Sequence, residues 1–163
     1  TNSQIIADTV RSGKNSVYLT VGDPSLYSTW NHIHKELREK YSDIDIEIIP
    51  GVPSFFAFAA QAKMSLVEGD QTLGIVPACY DLDKIKHTIN SCDSIIFLKD
   101  GRYFDSVIEL LSESGFSDNS NITIAQDVSV DKEILETKKL KDLRNTKNPA
   151  AKYFSIRVAT RND

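Results

Sequence analysis

The chain has 163 residues, 40% hydrophobic and 26% charged, with a formal net charge of -4 and a pI near 5.4. That is enough apolar material for one sizeable core or two small ones, and the composition points to an α/β globule rather than a disordered chain or a repeat array. The acidic balance argues against a nucleic-acid binder, no apolar run is long enough to span a bilayer, and no charged-then-apolar leader is present, so the cytoplasm is the expected compartment. Cys79 and Cys92 have neither CxxC spacing nor a histidine at ligand distance. They read as buried free thiols, and no metal site is expected.

In chain order, residues 3–12 suggest a helix with Ile5, Ile6 and Val10 as its apolar stripe, ended by Gly13. Val17 to Val21 is β-branched and aromatic, the pattern of a strand buried on both faces. Gly-Asp-Pro follows, where Asp23 can cap a helix and Pro24 suits its first turn. Leu26, Trp30, Ile33, Leu37 and Tyr41 then recur at spacings that place them on one helix face. Ile44, Ile46 and Ile48 alternate with acidic residues as a second strand, which runs into Pro50-Gly51. Ser54 to Ala62 reads as a helix buried on most sides.

Strands are expected at Leu73–Val76 and Ser94–Leu98, with helices at Leu82–Ile89 and Phe104–Ser114. The tail looks antiparallel, with strand candidates at Ile122–Ala125, Glu133–Glu136 and Tyr153–Val158. Near Gly51 the chain is expected to divide into residues 1–51, part of an N-terminal α/β domain, and 52–163, a C-terminal α/β domain. The basic segment of Lys138, Lys139, Lys141, Arg144 and Lys147 reads as a solvated helix face.

Two strand ends, Val21-Gly22-Asp23-Pro24 and Pro50-Gly51-Val52-Pro53-Ser54, each carry a glycine that lets another group approach the backbone. If the two strands are parallel neighbours, both turns lie at the carboxyl edge of one sheet, where open α/β proteins bind ligands. Ordinary turn chemistry explains each motif taken alone, and neither is GxGxxG or a Walker loop. The combination of GDPSLYSTW with EIIPGVPSFFAFAA and LVEGDQTLGIVPA resembles the tetrapyrrole (corrin/porphyrin) methylases. Within them it is most similar to the precorrin-2 or cobalt-factor-II C-20 methyltransferases of cobalamin biosynthesis.

That resemblance implies an S-adenosylmethionine-dependent methyltransferase with two α/β domains, an incomplete N-terminal parallel-sheet domain and a complete C-terminal mixed-sheet domain, acting as a homodimer on a tetrapyrrole. It implies a cofactor cleft between the domains, with Val21, Gly22 and Asp23 beside the cofactor, Leu26 against it, and Pro53 and Ser54 as its second contact. Lys99 falls where relatives place a Met or Lys near the adenosyl group, and the last strand adds Phe154 or Ser155. There are two departures. The family's opening strand and Gly-x-Gly-Pro-Gly loop are not found here, so the chain reads as cut at its N-terminus, and Pro53 stands where relatives commonly have Thr. Other readings are another tetrapyrrole methylation, such as that of uroporphyrinogen III, or a non-catalytic cofactor-binding or dimerisation fragment.

Methyl transfer from a sulfonium depends largely on holding the carbon nucleophile in line, so it requires no catalytic triad, and no catalytic base is assigned. Asp23 is explained equally well as a helix cap. Lys99 and Arg102 follow a strand end where the carboxylates of a tetrapyrrole could be met. His32 and His34, two apart on a helix, diverge and do not make a metal pair, and His87 is isolated. Whether the substrate is metal-free or cobalt-bearing is not written in any residue.

Overall fold

The structure is a computed structural model that describes residues 1–77, 81–99, 103–144, 146 and 155–161. It divides into two compact units, Thr1–Ser54 and Phe55–Asp163.

The first unit is built on two helices, α1 (Asn2–Arg11) and α2 (Trp30–Lys40). The Thr1 hydroxyl caps α1 by accepting from the Gln4 amide at 3.3 Å. The buried face of α1 is Ser3 and Ala7, one turn apart, and Ile5 of the expected stripe is exposed. Two small residues let α1 approach α2 closely, and Leu37 is buried on α2. The Ser3 hydroxyl donates to Glu36, and the Arg11 guanidinium forks onto Asp43 at 3.1 and 2.7 Å.

The expected helix start at Pro24 is not what forms. α2 begins at Trp30, because residues 24–28 turn and Tyr27 adopts a positive φ of 50° that no helix accommodates. Leu26 therefore lies outside the helix. Trp30 is buried against Tyr18 and stacks on His34, with ring centroids 5.3 and 5.5 Å apart. His34 is thus an aromatic packing partner of Trp30.

The two strands expected in this unit do not form. Residues 14–20 and 45–50 are extended or irregular without a ladder. Val17, Leu19 and Val21 are 79%, 86% and 97% exposed, the opposite of a strand buried on both faces. A β-strand exists only through hydrogen bonds to a neighbour, and the first unit contains no neighbouring strand for either segment.

In the second unit most local patterns agree with the structure. α3 (Ser54–Ala62) leads from the unit boundary, then β1 (Leu73–Pro77), α4 (Leu82–Ser91), β2 (Ser94–Leu98), α5 (Phe104–Glu113), β3 (Asn121–Gln126), β4 (Ile134–Lys139), α6 (Leu140–Leu143) and β5 (Ser155–Thr160). The helix α3 buries Phe55 and Phe58 but exposes Phe56, so it is one-sided rather than enclosed. The five strands form one mixed sheet in the order β1-β2-β5-β3-β4. Only β1 and β2 run parallel; β2 with β5, β5 with β3, and β3 with β4 are antiparallel.

Placing β5 between β2 and β3 buries all five residues of β2, as its unbroken apolar run requires. Ile95, Phe97, Ile122, Ile124 and Ala159 pack into one core with Ile85 and Ile89 of α4 and Val107, Ile108 and Leu111 of α5. Cys92 is a free thiol half-buried against that core, whereas Cys79 lies outside the described residues. The basic segment is largely paired or capped: Lys138 with Glu136, Lys141 with Asn119, and Arg144 with Asp118 and Ser112. Lys147 lies outside the described residues.

Candidate functional site

In the first unit the two glycine turns lie against each other. The Gly51 amide donates to Asp23 Oδ2 at 2.9 Å, and the Ser25 amide donates to Asp23 Oδ1 at 2.8 Å. Asp23 is thus not a helix cap: its carboxylate turns back on its own loop and reaches across to the second turn. These two backbone donors, Gly51 first and Ser25 second, hold the Asp23 carboxyl below its ordinary pKa, because they stabilise the charged form.

The two glycines serve different ends: Gly22 supplies a left-handed backbone, and Gly51 supplies the room for the approach. Gly22 has φ +80°, and a Cβ there would face the Val52 carbonyl oxygen at 3.6 Å and Pro53 Cα at 4.0 Å. A Cβ on Gly51 would come within 2.2 Å of the Gly22 carbonyl oxygen, closer than any side chain can stand. The structure therefore brings Gly22, Asp23 and Pro53 together. Ser54 opens α3 and is exposed, Val21 is exposed, and Leu26 is half-buried with its amide donating to the Asp23 carbonyl at 3.3 Å.

In the second unit, Lys99 and Ser155 meet at one end of the sheet. The Lys99 amide donates to the Ser155 carbonyl at 3.1 Å, extending the β2–β5 pairing by one residue. Lys99 is exposed and takes a left-handed φ of 60°, outside the extended conformation of β2. Ser155 is 2% exposed and pairs with Gln126 of β3. Two residues on, Arg157 shares the Ser155 face of β5 and is 1% exposed, its guanidinium 4.4 Å from the centre of the Phe104 ring. Sequence reasoning passed over Arg157, although an arginine between Ile156 and Val158 in an apolar strand was a visible signal. Arg102 and Phe154, two further candidates, lie outside the described residues.

A pocket of about 430 Å³ opens elsewhere on this unit, lined by Glu68, Gln71, Asp93, Ser94, Thr123 and Thr160 among others. Ser94 and Thr160 pair at the end of β2 and β5 remote from Leu98 and Ser155, so this pocket includes none of the expected cofactor residues. Among the described residues no group of three or more His, Cys, Asp or Glu is placed to hold a metal, and no helix is long and apolar enough to cross a membrane.

The family profile of the tetrapyrrole (corrin/porphyrin) methylases matches residues 1–144. A probable cobalt-precorrin-2 C(20)-methyltransferase of Methanocaldococcus jannaschii is 43% identical over 81 residues, 50% of this chain and 33% of that protein. The curated relatives are longer proteins, of which the chain spans 21% to 59%. Among solved structures, the cobalamin biosynthetic enzyme cobalt precorrin-4 methyltransferase CbiF superposes with a TM-score of 0.78 at 26% identity, over 98% of this chain and 69% of that one. The uroporphyrin-III C-methyltransferase of Thermus thermophilus, solved in complex with S-adenosylhomocysteine, has the same fold, with a TM-score of 0.72 at 14% identity over 97% of this chain and 71% of that one.

Proposed function

Since the chain belongs to the tetrapyrrole (corrin/porphyrin) methylases, we propose that it forms part of an S-adenosylmethionine-dependent methyltransferase acting on precorrin-2 or cobalt-factor II at C-20. The observation that carries this reading is the fastening of the Gly-Asp-Pro turn onto the Pro-Gly-Val-Pro turn through Asp23 and Gly51. It sets side by side two turns that lie 28 residues apart in the sequence. Support for the C-20 position comes from the 43% identity to the precorrin-2 enzyme.

The cofactor would supply a sulfonium methyl group, which needs no proton transfer to become electrophilic. The residues assigned to hold it are Val21, Gly22, Asp23, Leu26, Pro53 and Ser54 in the first unit and Lys99 and Ser155 in the second. The turn backbones offer peptide groups at a fixed spacing, and Ser54 offers the hydroxyl that Pro53 lacks. The Lys99 ammonium, exposed beyond β2, suits a carboxylate of the tetrapyrrole. The domains are assigned as 1–51 and 52–163, the assembly as a homodimer and the compartment as the cytoplasm.

A second reading has a specific observation behind it: the superposition on a precorrin-4 enzyme over 98% of this chain favours methylation of a later intermediate. One experiment separates the two. The chain, alone and as part of a longer protein carrying an upstream segment, is incubated with S-adenosylmethionine and precorrin-2, cobalt-factor II or precorrin-4. Mass spectrometry reports an added methyl group and NMR its carbon. A methyl at C-20 is expected with the first two substrates in the longer protein; turnover of precorrin-4 alone would overturn the C-20 assignment, and calorimetry showing no S-adenosylhomocysteine binding would overturn the reading as a whole.

A further inference from the structure

We propose that Asp23 is a positioning residue, whose carboxylate clamps the 50–53 turn onto the 22–25 turn and so presets the backbone edge offered to an adenosyl cofactor. The proposal rests on the functional reading above for what that edge holds, but the clamp itself rests on geometry within the first unit.

Each oxygen of the carboxylate has one backbone donor, Oδ1 from Ser25 at 2.8 Å and Oδ2 from Gly51 at 2.9 Å. Ionised carboxylates accept and do not donate, and two N–H groups aimed at one carboxylate form charge-assisted hydrogen bonds, roughly twice as strong as neutral ones. One bond is local and fixes the turn after Pro24. The other spans 28 residues of sequence and ties the two turns directly to each other. The close fit of Gly51 against Gly22 limits how near the turns can come, and the hydrogen bond adds a directional attraction that opposes their separation. The groups held in register are the peptide units of residues 22–26 and 51–54, the ones assigned to the cofactor. Because its charge is committed to two amides, Asp23 is a poor general base, and its contribution to turnover passes through the position of those peptide units.

The test uses the full chain with Asp23→Ala and Asp23→Asn. In the first arm, NMR-detected amide exchange reports on Gly51 without any ligand. Exchange at Gly51 and Ser25 is expected to speed up about tenfold or more in Asp23→Ala, the scale of losing one charge-assisted bond. Trp30 and Leu37 amides should stay protected, and Asp23→Asn, whose single carbonyl oxygen can keep one of the two bonds, should fall between. In the second arm, calorimetry measures S-adenosylhomocysteine affinity, with Asp93→Asn as the control. Asp93 makes a comparable clamp elsewhere, accepting from the Thr72 amide and hydroxyl at 2.8 and 2.9 Å. Affinity should drop about tenfold in Asp23→Ala and hold in Asp93→Asn, so that simple destabilisation is separated from positioning. Unchanged Gly51 exchange in a folded Asp23→Ala overturns the clamp. A freed Gly51 with unchanged affinity, or an equal loss in Asp93→Asn, overturns the positioning role. If the unsubstituted chain binds no S-adenosylhomocysteine, the functional reading and the cofactor half of the proposal fail together, and the exchange arm alone decides the clamp.

Discussion

Replacing Gly51 by Ala adds one methyl group at the tightest point of the first unit. Its carbon would stand 2.2 Å from the Gly22 carbonyl oxygen, 2.9 Å from the Gly22 carbonyl carbon and 3.4 Å from Asp23 Cα. Real contacts of this kind begin near 3.0 Å, so the turns must part by at least 3.0 − 2.2 = 0.8 Å, and the opposing atoms are backbone that cannot rotate aside. Taken along the Asp23–Gly51 bond, that shift stretches it from 2.9 to 3.7 Å, beyond hydrogen-bonding distance. Overpacking of this kind costs about 1–3 kcal/mol. Gly13→Ala is the matched control, since Gly13 has φ +82° with nothing within 4 Å and suffers only the left-handed strain of about 1–2 kcal/mol. Thermal unfolding and S-adenosylhomocysteine calorimetry on both variants give the comparison. Gly51→Ala should lose affinity as well as stability, and Gly13→Ala stability alone. Unchanged affinity in a folded Gly51→Ala would show that the closeness of the turns has no bearing on the cofactor.

Phe97 is fully buried in the middle of β2, and Phe97→Ala should destabilise the second unit by about 3–5 kcal/mol in denaturant titration; a loss under 1 kcal/mol would mean that the sheet core collapses around the gap. The forked hydrogen bond from Arg11 first, then a backbone hydrogen bond at Asp43 itself and, more weakly, the Arg11 charge hold the Asp43 carboxyl below its ordinary 3.8. A depressed folded pKa contributes stability that is present above the unfolded pKa and lost as pH falls through the folded one. The stability gap between the native chain and Arg11→Ala should accordingly be level above about pH 5 and close as the pH drops below about 4, and a gap that widens in acid would contradict the pairing. Val17, Leu19 and Val21 stand exposed on unladdered backbone, so the chain should self-associate, and Leu19→Lys with Val21→Lys should reduce its weight-average mass in sedimentation; a native chain that is monomeric at high concentration would dismiss this.

What was legible in the sequence follows from how local each signal is. The run Ser94–Leu98 states its own burial, and the spacing of Ile85, Ile89, Val107 and Leu111 states which helix faces meet the sheet. The antiparallel tail was also readable, because short alternating segments separated by polar turns pair with their neighbours in few ways. The strands expected in the first unit failed because strand formation is a property of two segments. Val17–Val21 and Ile44–Ile48 have the composition and lack the neighbour. The helix start at Pro24 failed for a different reason: an aspartate before a proline is equally suited to capping a helix and to closing a turn, and Tyr27 with its positive φ decides between them.

The two glycines at the candidate site show where local inference stops. A glycine at a turn announces that something comes close to the backbone, and a ligand and another stretch of chain make the same demand, the absence of a Cβ. What distinguishes them is the direction in which the missing Cβ would point. At Gly22 it points to Val52 and Pro53, and at Gly51 to Gly22. Only at Gly51 is there no room for it, so Gly51 serves the joining of the two turns while Gly22 serves the φ of +80°, and the outer edge of that joint is the surface proposed for a cofactor. This is why substitutions at Gly51 and Asp23 are expected to act on cofactor affinity through the joint, whereas a side chain at Gly22 is strained chiefly by its φ of +80°.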